Sequence, residues 1–242
     1  RQARNYATDK TRGKNTYRIK HGEDTIMKSF LVIGMSPFGK HLATQLMQHG
    51  NEVMVVDKEE DRLEDIASDV TAAQIGDCTK ESVLQSLGIK NFDCCFVTVE
   101  NDFQDSLEIT SLIKELGAQR VVSKAVDDTH EKFLKKNGAD EVVFPLRDTA
   151  EKIAVKYSEK NLFDYIELSP DYSISEIPIL SKWAGHSIED VGVRTKFKVT
   201  ILAIKSPSVF LPMPGPDYVF RAEDHLVVMG RNQDIFRLTD MT

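Results

Sequence analysis

The stretch "LVIGMSPFGKHLA", residues 31–43, decides how the rest of the chain is read. An apolar, β-branched run leads into Gly34, and Gly39 follows at the start of an amphipathic pattern. This is the outline of a strand, turn and helix that receive a nucleotide phosphate, the first glycine allowing the tight turn and the last allowing the helix to pack close on the strand. The helix amino terminus would then point its free N–H groups and the positive end of its dipole at the phosphate. Where the middle glycine of G-x-G-x-x-G belongs, the chain has Ser36, and Pro37 follows it. Both suit a helix start, serine as N-cap and proline at the first helical position. Toward a ligand they act differently: Ser36 puts a Cβ where phosphate would approach closest, and Pro37 removes one donor. Met35 and Phe38 complete the expected cradle.

Working outward, "EVMVVD" ends in Asp57, 18 positions after Gly39. A carboxylate there can accept hydrogen bonds from ribose hydroxyls and would repel a 2′-phosphate; the bland alternative is a solvated strand end beside Lys58. Ligands of such sheets sit outside the carboxyl ends of the strands. The remaining candidates are therefore Asp77, Cys78 and Thr79 in "GDCT", Thr98, Glu100 and Asn101 in "TVEND", and Lys124 in "SKA". Asp77 and Thr79 could equally start a helix, and Lys124 could equally form a structural ion pair.

From 29 to 145, β-branched runs alternate with helical patterns, the signature of βαβ units and a parallel sheet covered on both faces. Helices are expected at 38–50, 59–68, 79–88, 102–117 and 128–138, several ending at Gly50, Gly88, Gly117 or Gly138. "RDTAEKIAVKYSEKN" (147–161) reads as a connector helix with Ile153, Ala154 and Tyr157 on one side. Beyond 164 come strand-like runs with few helical pieces, which indicates a small α+β module. Its Pro-rich segment "SPSVFLPMPGPDYVF" (206–220) is a loop or an edge, because Pro212, Pro214 and Pro216 cannot donate to a central ladder. The expected division is a leader at 1–27, a nucleotide-binding domain at 28–146, a connector at 147–163 and a second domain at 164–242.

Lys+Arg 31 against Asp+Glu 38 gives a net charge of −7, which argues against nucleic acid or an anionic membrane surface as partner. Residues 1–26 carry seven basic and three acidic residues and lack apolar periodicity, so they are set aside as a non-folding leader upstream of Met27. No run approaches the roughly 18 apolar residues of a membrane span, so direct membrane insertion is not expected. Cys78, Cys94 and Cys95 fit reduced thiols, the vicinal pair acting as small hydrophobes in "DCCFVTV" rather than as a redox pair. The six histidines are scattered, and no metal site is visible.

Taken with "SLGIKNFDCCFVTVEND" (86–102), "KKNGADEVVFP" (135–145), "NLFDYIELSPDYSI" (161–174), "VRTKFKVTILAIK" (193–205) and "PGPDYVFRAEDHLVVMG" (214–230), the opening loop resembles the KtrA/TrkA family of potassium uptake regulators, and the likeness runs over 28–242. That resemblance implies a Rossmann-like, doubly wound RCK (TrkA-N) domain followed by a small α+β TrkA-C domain. It implies a cytoplasmic homodimer assembling to a tetramer or octamer, peripheral to the membrane through a potassium-translocating subunit of the KtrB/TrkH type. It also implies control by a nucleotide such as AMP, ADP, ATP or NAD(H). Many relatives carry an arginine where this chain has Pro37, and some a cation-serving glutamate where it has Leu146. The resemblance further suggests a cyclic di-AMP site in the TrkA-C part, for which Ile188, Arg194 and Pro214 or Pro216 are the matching residues.

The function expected is thus a non-enzymatic regulatory module. Its rivals are an NAD-dependent oxidoreductase, for which the part after 164 is small and poor in proton-transfer groups, and a structural subunit with an empty pocket.

Overall fold

The computed structural model describes residues 27–100, 102–158 and 161–241 of the 242-residue chain. Residues 1–26 and Asn101 lie outside the described residues. By density of contacts the chain forms two units, the first comprising residues up to Lys124 together with Lys132–Val142, the second Ala125–Glu131 together with the residues from Val143 onward.

The first unit is built on a six-stranded sheet in the order β3-β2-β1-β4-β5-β6. Its strands are β1 (Ser29–Ile33), β2 (Glu52–Asp57), β3 (Ala72–Ile75), β4 (Cys94–Val97), β5 (Val121–Lys124) and β6 (Glu141–Val143). Between them run α1 (Pro37–Gln48), α2 (Asp61–Glu64), α3 (Glu81–Leu87), α4 (Phe103–Glu115) and α5 (Asp128–Lys136), the last with its residues up to Glu131 assigned to the second unit. The parallel pairing of β1 with both β2 and β4 makes β1 and β4 the point where the strand order reverses. Ile33 pairs with Val56 on one side and Val97 on the other, so the residues after these three strands come to one edge.

Strand alternation explains how the sheet is covered. Leu31 and Ile33 face one side and pack with Leu84, Ile109, Ile113 and Cys95, while Val32 faces the other and packs with Val53, Val55, Ala43 and Leu63. Cys94 and Cys95 are buried, as the hydrophobe reading requires, and burial pushes the Cys95 thiol up to about 12. Helix α2 is shorter than the 59–68 expected: after Glu64 the chain leaves the helix, although Ile66 still packs into the core beside Leu63.

In the second unit, α6 (Pro145–Ser158) covers most of the segment read as a connector helix and has no buried residue. Ile153 is 52% and Tyr157 81% exposed, and Val155 is the position that packs on this unit's core. The sheet has five strands in the order β10-β9-β11-β8-β7, namely β7 (Asp164–Ser169), β8 (Tyr172–Pro178), β9 (Thr200–Ser206), β10 (Val209–Pro212) and β11 (His225–Arg231). The described pairs are antiparallel. The Pro-rich segment therefore begins as an edge strand, β10, which ends at Pro212 where the missing N–H would break a central ladder. The short helical patterns of "SIEDVGV" (187–193) and "QDIFRLTDM" (233–241) form helices α7 (Ile188–Val191) and α9 (Asn232–Thr239). Helix α8 (Val193–Phe197) takes residues that carry no helical signal of their own. It follows Gly192, which is left-handed at φ 65°, and Val193 anchors it in the core. That core gathers Trp183, Phe220, Leu226, Val228 and Ile235. Among the described residues no helix is long and apolar enough to cross a membrane.

Candidate nucleotide-binding site

The loop after β1 is fixed by three local devices. Gly34 has φ 91°, and a Cβ on it would lie 2.7 Å from Val99 N, so only glycine lets the backbone pass here. Gly39 lies against Gly34 O and Thr98 Oγ1, the latter 2.5 Å from where its Cβ would be. Thr98, 1% exposed, donates its hydroxyl to Gly34 O at 2.5 Å and locks the crossing. Ser36 caps α1 as its residue type dictates, Oγ accepting from Gly39 N at 3.3 Å, and Pro37 occupies the first helical position. Ser36 is buried and Pro37 exposed.

Asp57 is 5% exposed, and its carboxylate is engaged with the protein: Oδ2 accepts from Met35 N at 2.6 Å and Oδ1 from Glu59 N at 2.9 Å. A carboxylate has about four acceptor positions, so capacity remains for a ribose hydroxyl. Lys58 donates to Asp105 Oδ2 at 3.0 Å, and that bond, with the charge of Asp105, raises its pKa.

Asp77 accepts from Thr79 Oγ1 at 2.7 Å and from Thr79 N at 3.1 Å, and the hydroxyl bond is the main reason its carboxyl is held below the usual range. Neither residue caps α3, whose N-cap is Lys80 with no side-chain bond, so the pair builds a turn and not a helix start. Burial pushes the Cys78 thiol up to about 12, which keeps it neutral. Lys124, 4% exposed, is the ion-pair alternative: its Nζ lies 2.6 Å from Glu100 Oε1.

These residues border two adjoining clefts of the first unit. One, of about 230 Å³, is lined by Gly34, Asp57, Lys58, Asp77, Cys78 and Thr79 among others, with Glu100 at its margin. The other, of about 490 Å³, lies over the start of α1 and is lined by Met35, Ser36 and Pro37 together with Lys40, His41 and Arg62. Phe38, Gly39, Thr98 and Lys124 line neither; they support the walls. Sequence reasoning did not single out Lys40, His41 or Arg62. The signal for Lys40 and His41 was their place in the first turn of α1; Arg62 had none, because the bend after Asp57 that brings it back is not visible in residue types.

In the second unit, Glu189 N donates to Pro216 O at 3.0 Å and Ile188 N to Tyr218 O at 3.0 Å, which brings Pro216 beside Ile188. Arg194 is exposed on α8, and Pro214 is half-buried in the loop after β10.

The chain matches the TrkA-N domain over residues 30–145 and the TrkA-C domain over residues 173–241. It is 40% identical over 210 residues to the Ktr system potassium uptake protein C of Bacillus subtilis, covering 87% of this chain and 95% of that protein. The same figures hold for the Ktr system potassium uptake protein A of that organism. Among solved structures, the RCK domain of GsuK superposes with a TM-score of 0.62 at 19% identity, over 90% of this chain and 48% of that one. The GsuK channel bound to NAD superposes with a TM-score of 0.63 at 18% identity, over 90% and 40%. The chain thus spans less than half of these channel proteins, and the likeness to them is one of fold.

Proposed function

We infer function from one premise: the chain belongs to the TrkA-N/TrkA-C family, the family of the Ktr potassium uptake proteins. It acts as a cytoplasmic, non-enzymatic regulatory subunit that senses an adenine nucleotide and controls a membrane potassium-translocating subunit. The observation that carries this reading is the convergence of the capped start of α1, Asp57 and the ends of β1, β3 and β4 on one pair of clefts. The ligand is AMP, ADP, ATP or NAD(H), the last supported by the fold shared with a channel bound to NAD. Gly34, Met35, Ser36 and Pro37 meet its phosphates, Asp57 its ribose, and Asp77, Thr79 and Glu100 close the cleft.

A ligand can switch such a subunit only by binding two arrangements with different affinity. The arrangements proposed are those of a homodimer assembled into a ring of four or eight. A second ligand, cyclic di-AMP, is proposed for the surface carrying Ile188, Arg194, Pro214 and Pro216. Mass spectrometry of small molecules released from the purified protein, followed by titration calorimetry with AMP, ADP, ATP, NAD+ and NADH, tests the reading. An adenine nucleotide bound and recovered unchanged is expected. No binding to any of the five, or steady NADH oxidation with a small carbonyl substrate, would overturn it.

A further inference from the structure

The two clefts share Arg62 and Glu100 but differ in charge. The first is lined by the carboxylates of Asp57, Glu59, Asp77, Glu100, Asp102 and Asp105, against Lys58 and Arg62 as its cations. Lys58 is already committed to Asp105 at 3.0 Å. The second has Lys40, His41 and Arg62 against Glu100 alone. A phosphate in the first compartment would meet like charge at short range, whereas ribose hydroxyls and an adenine amino group bring neutral donors that carboxylates accept. In the second it would meet the cations Lys40 and Arg62.

Arg62 stands at the boundary. Its Nε is 3.3 Å from Glu59 Oε2, and its nearest terminal nitrogen is 3.9 Å from Asp57 Oδ2, beyond hydrogen-bond distance. The side chain is 40% exposed, so its pair with Glu59 contributes little and costs little to exchange. A guanidinium offers five donors in a planar fork suited to phosphate, and among the described residues most of that fork has no protein partner at hydrogen-bond distance.

We propose that Arg62 is the specificity-determining residue of this site: it holds the first phosphate of a bound adenine nucleotide at the boundary of the two compartments and so directs the nucleoside into the acidic one. The assignment rests on the reading of the chain as a nucleotide sensor. It gives the chain a phosphate-binding arginine although position 37 is proline, and it places any further phosphate toward Lys40, whose present partner is the exposed Asp65 at 3.3 Å.

Titration calorimetry of the full chain with adenosine, AMP and ATP, on the wild type, Arg62→Gln and Arg62→Lys at one salt concentration, tests it. Arg62→Gln is expected to weaken AMP about tenfold or more while adenosine changes less than about twofold, since a charge-assisted phosphate bond is lost and nothing else. Arg62→Lys, which keeps the charge without the fork and guards against a folding defect in the first variant, should recover part of the loss. Unchanged AMP affinity in Arg62→Gln, or equal loss for adenosine and AMP, would overturn the assignment and leave the sensor reading standing. A wild type that binds none of the three would overturn the assignment, and would overturn the sensor reading as well if ADP, NAD+ and NADH also fail to bind.

Discussion

Asp57 Oδ2 accepts the backbone N–H of Met35 at 2.6 Å, so the carboxylate that closes β2 also holds the loop that closes β1. A residue expected to wait for a ribose is already part of the wall. Asp57→Asn should therefore act on the empty protein as well as on the complex. Replacing a charge-assisted buried bond by a neutral one is expected to lower unfolding free energy by about 1–2 kcal/mol without ligand. Urea melts of both proteins, with and without nucleotide, check it; a variant as stable as wild type that binds nucleotide more weakly would confine Asp57 to the ligand.

Gly39→Ala is expected to destabilise the first unit by about 1–3 kcal/mol, because its Cβ meets Thr98 Oγ1 at 2.5 Å and the carbonyl of Gly34 in a packed crossing. Thermal unfolding checks this. Thr98→Ala in the same background should restore part of the loss by vacating the space, and its failure to do so would show that the backbone carbonyl alone sets the limit.

Pro37→Arg should raise affinity for ATP relative to AMP by about tenfold, since Pro37 is exposed at the cleft that holds Lys40, His41 and Arg62. Ser36 is best left in place, because it caps α1 through Gly39 N, and Ser36→Gly adds flexibility at a buried position. Calorimetry of Pro37→Arg with and without Ser36→Gly separates the two effects. Equal ATP:AMP ratios in wild type and both variants would show that position 37 does not set ligand choice.

Glu176 predicts an acid limb in the stability of the second unit. Burial pushes its carboxyl up, but hydrogen bonds from Lys205 (2.7 Å) and His225 (2.9 Å) outweigh that and leave it below its ordinary value of 4.5. A depressed folded pKa means that the contribution is fully present above the unfolded value and is lost as pH falls through the folded one. The urea midpoint should thus fall as pH drops below about 4.5, and Glu176→Gln should flatten that fall. Parallel curves for the two proteins would sink the assignment to Glu176.

Local chemistry made much of the first unit legible. Ser36 and Pro37 state a helix start in their own residue types, and Gly50, Gly88, Gly117 and Gly138 all have positive φ where helices were expected to end. The parallel sheet followed from the alternation of β-branched runs and helical patterns, whereas the reversal of strand order beside Gly34 is a finding of the structure. What the sequence hid are relations between residues far apart in it. The bond from Met35 to Asp57 and the pair of Lys124 with Glu100 depend on register between strands, which residue types do not encode. Helix α8 was hidden for another reason: "VRTKF" carries no helical signal of its own and takes its form from the Val193 anchor, whereas "VFLP" was open as a loop or an edge and the available sheet edge makes it β10.

The division of the chain also limits how the protein can be cut. The backbone passes from one unit to the other after Lys124, returns at Lys132 and leaves again at Val143. A gene fragment ended at any single codon in this region strands backbone that belongs to the other unit: stopping at Lys124 removes β6, and stopping at Pro145 retains 125–131 without Arg147, whose guanidinium bonds Asp128 at 3.0 Å and Glu131 at 2.7 Å. Truncations designed on the assumption of two beads on a string would report on their own frayed ends, so the two halves are better compared by substitutions within the intact polypeptide.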